Sequence, residues 1–432
     1  MLSAASSHGL RRRSGPRMAS SPAPVIARPM PITRLPVPCR LRRNLASRPG
    51  CRAPSVSSLR SRKGSRRLGR SREIASPTCA TRRRGNQGMA AILPDAPARL
   101  RAVSHPVVPT FDGQAIRDAV PMADLLDAID AAFRDVAAGR DRSPMRIRLE
   151  MGHGDLLLMP GLRAGGRGAA VKLVTVMPGN ADRGLPTVQA VVVWFDAGSG
   201  EPLAILDGTT VTAMRTGAAS GVATRLLARI DASVLALFGC GAQAAWQVRA
   251  VMAARPIREL RVYARNEGRR VAFAERMGEE LGSEVRVAPA GSPAEALRGA
   301  EIVCCATTSS EPLFEAGQVE PGAHVNGIGA FRLGMVEIPP ALFGRAGLVA
   351  VDAREASLAE AGDLVAALRS GDLGEDGYLE LGSVDPRWAE TRDPQAITIF
   401  KSVGLAIQDL AAAELIADRL LDPQARDRRE GA

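Results

Sequence analysis

The stretch Leu235-Ala236-Leu237-Phe238-Gly239-Cys240-Gly241-Ala242-Gln243-Ala244 joins an apolar strand to a G-x-G-x-x-A turn, and a helical run from Ala245 to Ala254 follows it. The strand before and the helix after turn a weak glycine pattern into a specific one for a dinucleotide-binding turn. Gly239 permits the tight bend, Gly241 lets the backbone reach a pyrophosphate, and Ala244 lets the helix whose N-terminus faces the anion pack closely. At the end of the next expected strand, Val262-Tyr263-Ala264-Arg265-Asn266 offers no Asp or Glu for a ribose 2′-hydroxyl. Arg265 can instead pair with a 2′-phosphate, helped by Arg269 and Arg270, which favours NADP(H) and leaves NADH open.

Downstream of Asp231 the apolar runs 234–238, 260–263, 302–305, 325–328 and 348–351 are continuous, as expected of strands buried on both faces. Helical segments such as 269–281 and 293–297 supply crossovers for a parallel sheet. Upstream, strand-like segments 145–150, 155–159, 169–176 and 189–196 alternate with Gly, Pro, Asn and Asp clusters, which predicts an antiparallel meander. A broken helical pattern over 114–136 precedes it, a long helix from Thr209 to Arg229 follows, and a last amphipathic segment covers 403–421. The fold class is therefore α/β, a Rossmann-type domain over 230–395 beside an α+β catalytic and dimerisation domain. The latter spans 104–229 and is completed by 396–432.

The charge is unevenly placed. Residues 1–88 carry 21 Lys and Arg against one acid, Glu73, while the rest of the 432-residue chain carries 36 basic and 44 acidic residues. The basic segment is rich in Arg, Ser, Pro and Gly, with Arg11-Arg12-Arg13 and Arg82-Arg83-Arg84, and has no periodic apolar pattern that could pack. It is expected to be disordered, either an organelle transit peptide or sequence upstream of a true start at Met89. No Tyr, Trp or Phe interleaves with its arginines, which argues against nucleic-acid binding. The cysteines outside that segment, Cys240, Cys304 and Cys305, form no CxxC pair. No disulfide framework or metal site is expected, and a reducing, cytoplasmic setting is the default. No apolar run approaches the roughly 20 residues needed to cross a bilayer.

Five segments taken in order resemble the ornithine cyclodeaminase/mu-crystallin family. They are Ala169-Ala170-Val171-Lys172, Asp207-Gly208 with Thr212-Ala213-Met214-Arg215-Thr216-Gly217-Ala218-Ala219, the turn 239–244, Val325-Asn326-Gly327-Ile328-Gly329-Ala330, and Phe400-Lys401-Ser402-Val403-Gly404. The resemblance implies that Arg146 grips a substrate carboxylate and that Lys172 shares this task and acts in catalysis, with Val403 beside the substrate. A guanidinium suits bidentate binding, and an ammonium adds a transferable proton. It further implies cofactor contacts at Thr187, Arg215, Gly239, Gly241, Ala242, Gln243, Arg265, Asn266, Thr307, Val325, Asn326, Ile328 and Ser402. Arg215, early in its helix where cations are disfavoured, is expected to face an anion such as the cofactor phosphates. A homodimer is implied as well.

The family's cyclodeaminases end the 325–330 motif in an Asp that serves deamination, whereas this chain has Phe331, which cannot exchange a proton. The chain thus looks more like the family's ketimine reductases, which reduce cyclic imines such as Δ1-pyrroline-2-carboxylate or Δ1-piperideine-2-carboxylate to L-proline or L-pipecolate. Two readings stay open beside it. One is an ornithine cyclodeaminase or alanine-dehydrogenase-like enzyme that uses Asp352, Glu337 or Asp363 for proton work, and the other is a non-enzymatic crystallin-like ligand-binding protein.

Overall fold

A computed structural model of the chain describes residues 107–421. The expectations for 1–88, including the arginine clusters, lie outside the described residues. Two sheets organise what is described. The first contains β1 (Thr110–Phe111), β2 (Ile147–Glu150), β3 (Asp155–Leu162), β4 (Gly168–Val176), β5 (Val188–Asp196) and β6 (Pro202–Asp207). Its order is β1-β6-β5-β4-β3-β2, antiparallel except for the short β1–β6 pair.

The four strands expected from the sequence are β2 to β5, which run from the edge strand β2 inward. Strand β6 was not expected, because Glu201-Pro202 and Asp207-Gly208 frame it as a turn. Side chains on β3 and β4 alternate, and Leu157, Met159, Ala170, Lys172 and Val174 are buried on one face. That face meets the helix Ala406–Leu420, whose first ten residues include only two that are not fully buried. Gly161 permits the contact, since a Cβ there would lie 2.6 Å from the Ala406 carbonyl oxygen.

The second sheet is wholly parallel. It contains β7 (Val234–Phe238), β8 (Glu259–Tyr263), β9 (Arg286–Pro289), β10 (Ile302–Cys305), β11 (His324–Gly327), β12 (Ala346–Val351), β13 (Leu379–Glu380) and β14 (Ile397–Lys401). The order β13-β12-β14-β11-β10-β7-β8-β9 reverses direction between β7 and β10, which creates a switch-point crevice at the carboxyl ends of those strands. The edge strand β9 escaped the sequence reading because charge and proline interrupt it.

One expected boundary is corrected. The chain does not leave the parallel sheet at 396, because β14 pairs with β11 and β12, with Phe400 opposite Asn326 and Lys401 opposite Gly327. Ile-Thr-Ile-Phe-Lys is buried throughout, as befits a central parallel strand, so the return to the antiparallel side starts at Ser402.

The helix Gly208–Leu227 joins the two sheets and is buried along almost its whole length. Its small residues allow close packing: a Cβ on Gly217 would come within 2.5 Å of the Trp246 carbonyl oxygen in the helix Ala244–Ala254. The helix that carries Arg215 is thereby locked to the helix that starts at the glycine turn. Among the described residues no helix is long and apolar enough to cross a membrane.

Candidate active site

The glycine turn sits at the switch point. Gly239 has φ +103°, a left-handed conformation that disfavours other residues, and a Cβ there would approach the Ala306 carbonyl oxygen, at the end of β10, to 2.5 Å. A Cβ on Gly241 would meet nothing within 4 Å, so the backbone borders open space. Gln243, which caps the helix Ala244–Ala254, has a buried Oε1 without a hydrogen-bond partner. An open cradle and a helix N-terminus suit a dinucleotide pyrophosphate. Ala242 is exposed on the same turn, and Arg265 is exposed just past β8. Asn266 is committed as the N-cap of the helix Glu267–Leu281, accepting from the Arg269 N–H, and Arg270 donates to the Ala264 carbonyl.

Three buried carboxylates hold the loops that rim this crevice. Glu337 Oε1 accepts from the Thr307 N–H at 2.6 Å and the Thr307 hydroxyl at 2.8 Å, and its Oε2 accepts from the Gly329 and Ala330 N–H groups. Burial pushes the Glu337 carboxyl up, opposed by Lys401. Asp363 accepts from the Ile338 and Glu337 N–H groups and pairs with Lys401 at 2.8 Å. Asp352 Oδ2 accepts from the Ser402 hydroxyl and the Val403 and Gly404 N–H groups. The three acids that the sequence offered for proton work are thus tied to backbone, Glu337 at Thr307 and Gly329–Ala330, Asp363 at Glu337–Ile338, and Asp352 at Val403–Gly404.

The Asn326 side chain, implied as a cofactor contact, is not turned toward the crevice. It is fully buried, donating to Thr224 Oγ1 at 3.0 Å and joined through Oδ1 to His324 Nε2 at 3.1 Å. Burial drives His324 down to about 3, so the imidazole is neutral inside this polar knot. Strand alternation sends Asn326 toward the helix Gly208–Leu227, and Val325 is likewise fully buried. The Thr187 carbonyl accepts from the Met177 N–H at the turn before β5.

The cationic residues gather on the inner face of the antiparallel sheet. Lys172 pairs across strands with Met159 and Val192, and Arg146 precedes Ile147, which is opposite Leu158, so register puts Arg146, Met159 and Lys172 in one row. Lys172 is fully buried and forms an ion pair with Asp409 at 2.7 Å. The same carboxylate accepts from Arg215 Nε at 2.9 Å, and Arg215 Nη1 donates to Gln408 Oε1 at 3.1 Å.

Among the described residues the anion beside Arg215 is Asp409 of the C-terminal helix. Desolvation lowers Lys172 to about 7, aided by Arg215 and Arg146 and opposed by Asp409. Burial would raise Asp409, but Lys172 and Arg215 outweigh it and hold the carboxyl below its ordinary value.

Arg146 is less free than a bidentate clamp requires. Its Nε pairs with Glu360 at 3.0 Å, and its Nη2 donates to the Val403 and Gly404 carbonyls. Among the described residues only Nη1 is left without a hydrogen bond. A pocket beside it is lined by Met145, Met159, Ala356, Glu360 and Leu405. Phe331 packs on the apolar patch of Leu157, Met159, Val174 and Val176, and its neighbour Arg332 reaches Asp155 at 2.6 Å.

Sequence reasoning missed two acids here. Asp409 could have been found, because its helical neighbours Leu405, Ala406, Ala412 and Ala413 are all apolar, which marks a buried acid in need of a partner. Glu360 carries no such signal, lying in an ordinary polar helix end.

The family model for the ornithine cyclodeaminase/mu-crystallin family matches residues 112–424. The chain belongs to that family. It is 36% identical over 310 residues to a Δ1-pyrroline-2-carboxylate reductase of Bacillus cereus, covering 71% of this chain and 94% of that one. It is 33% identical over 299 residues to the ketimine reductase mu-crystallin of mouse, covering 68% of this chain and 91% of that one. A solved Δ1-pyrroline-2-carboxylate reductase of Thermococcus litoralis, in complex with NADH and L-proline, superposes with a TM-score of 0.68 at 32% identity. The match covers 73% of this chain and 98% of that structure. The family members Δ1-pyrroline-2-carboxylate reductase and mu-crystallin are thus similar over nearly their own full lengths.

Proposed function

We propose that this member of the family reduces a cyclic ketimine, Δ1-pyrroline-2-carboxylate or Δ1-piperideine-2-carboxylate, to the cyclic L-amino acid with a reduced nicotinamide dinucleotide. The observation that carries the reading is Lys172, buried beside Arg146 with its proton poised at about 7. The dinucleotide, when bound along Gly239, Gly241, Ala242 and Gln243, supplies the hydride that adds to the imine carbon. Arg146 Nη1 and Lys172 draw in the substrate carboxylate and thereby fix the ring. Such fixing alone can contribute roughly 7 kcal/mol or more. As the carbon–nitrogen π pair moves onto nitrogen, Lys172 gives up the proton that this pair takes, and Asp409 and Arg215 hold the lysine in place. A lysine lowered to about 7 is readily left neutral after donating.

The committed state of Glu337, Asp352 and Asp363, together with apolar Phe331, favours reduction over ornithine deamination. Arg265, exposed just past β8, favours NADPH over NADH, because an arginine after the second strand can pair with a 2′-phosphate. The outer face of the antiparallel sheet supports a homodimer. Ile147 and Leu149 on β2 continue through Leu156, Leu158, Leu162, Val171, Leu173, Val191 and Val193 by cross-strand register, an uncovered apolar surface.

The test follows absorbance of NADPH and NADH against both imines, with L-ornithine plus NAD⁺ assayed for ammonia in parallel. Imine-dependent NADPH oxidation is expected. Ammonia release without imine reduction would overturn the proposal in favour of a cyclodeaminase, and no turnover of any kind would favour a ligand-binding protein.

A further inference from the structure

Glu360 ends the helix Arg354–Glu360 on the parallel-sheet side and reaches across to Arg146 at the edge of the antiparallel sheet. Its Oε1 makes the 3.0 Å pair with Arg146 Nε, whereas its Oε2 is buried with no hydrogen-bond partner. A buried carboxylate oxygen without a donor is costly, so natural structures rarely leave one without a use. Burial holds this carboxyl above the ordinary glutamate range against the pull of Arg146, with Asp352 adding to the rise. The other acids of the same pocket are placed differently. Glu355 is exposed, and Asp141 Oδ1 accepts from the Ser143 N–H.

Arg146 and Glu360 thus bring to the wall of one pocket an N–H without a partner, Nη1, and a carboxylate oxygen without a donor, Oε2. A cyclic α-imino acid in its protonated form carries the complementary pair on adjacent atoms, a carboxylate and an in-plane ring N–H.

We propose that Glu360 Oε2 recognises the ring N–H of the substrate, so that the pocket selects α-imino acids over carboxylic acids without that donor. The proposal rests on the reductase reading above and adds a specificity residue to it. It also divides the work at nitrogen. Glu360 holds the in-plane N–H already present, and Lys172 serves the lone pair that forms out of the plane as hydride adds to carbon. Product then carries two N–H groups in different directions, one facing each residue.

Two planar probes separate the cases without turnover. Pyrrole-2-carboxylate has the carboxylate and the in-plane N–H, and furan-2-carboxylate has ring oxygen in place of N–H. Each is titrated calorimetrically into the full chain with NADP⁺ or, in parallel, NAD⁺. The wild type is expected to bind the pyrrole acid about tenfold more tightly or better, the usual worth of a hydrogen bond to a charged group. Glu360→Ala is expected to bind both alike, at the affinity of the wild type for the furan acid. Glu360→Gln, whose amide oxygen still accepts, should keep part of the preference. Equal binding by the wild type, or a preference that survives in Glu360→Ala, overturns the assignment and leaves the carboxylate site standing. Failure of both probes to bind would remove the reductase reading of the pocket and this proposal with it.

Discussion

Two buried lysines, Lys172 and Lys401, face their aspartates at nearly the same distance, 2.7 Å to Asp409 and 2.8 Å to Asp363. Their surroundings differ in sign. Lys172 shares its carboxylate with Arg215 and lies within electrostatic reach of Arg146, and burial, aided by these cations, loosens its proton. Lys401 lies among carboxylates, Asp363 and Glu337, and those carboxylates in turn hold the backbone at the rim of the nucleotide crevice. The same ion pair is thus a chemical device where positive charge is in excess and a structural tie where negative charge is.

Breaking each pair separately should produce different damage. Lys172→Met is expected to lower kcat/KM for the imine by about 10²–10⁴, the range for loss of a positioned proton donor. Asp409 keeps Arg215 as its partner, so the melting transition should stay close to that of the wild type. A Lys172→Met protein with unchanged turnover would remove the lysine from the chemistry. Lys401→Met should instead cost stability, about 3–5 kcal/mol in denaturant unfolding, because Asp363 is left buried without its cation. A mild stability loss accompanied by lost turnover would reverse the assignment of the two sites.

The sequence made much of this legible, and unevenly. Strand β7, the glycine turn and the helix after it could be read because each residue type there answers a local geometric need. Arg146, Lys172 and Arg215 were reached through resemblance, and Lys172 also through the cost of a lone ammonium in an apolar strand. What joins them was not legible, because Asp409 lies 237 positions beyond Lys172 and meets it only after the chain has threaded the whole parallel sheet. Asn326 differs again, since resemblance implied a cofactor contact there and its side chain is tied into a knot with His324 and Thr224.

A smaller effect concerns the exposed cation at the other end of the crevice. Arg265→Ala should raise KM for NADPH about tenfold and leave KM for NADH nearly unchanged, the pattern expected for loss of one charge-assisted contact. Equal loss with both cofactors would mean that Arg265 does not read the 2′-phosphate. A further effect is on stability. Lys172 binds its proton more weakly in the folded chain than at the ordinary lysine value of 10.5, so between about 7 and 10.5 the unfolded state holds more protons. Stability attributable to this group therefore rises with pH across that window. Calorimetry should show the rise flattened in Lys172→Met.

The most direct test of the account is the pH dependence of kcat/KM for ketimine reduction in the wild type and in Asp409→Asn. If protonated Lys172 is required, activity falls as pH rises through about 7. Removing the carboxylate that opposes the lowering should move that fall to lower pH. A profile that is identical in the two proteins would contradict the claim that Lys172, set by Asp409, governs the proton.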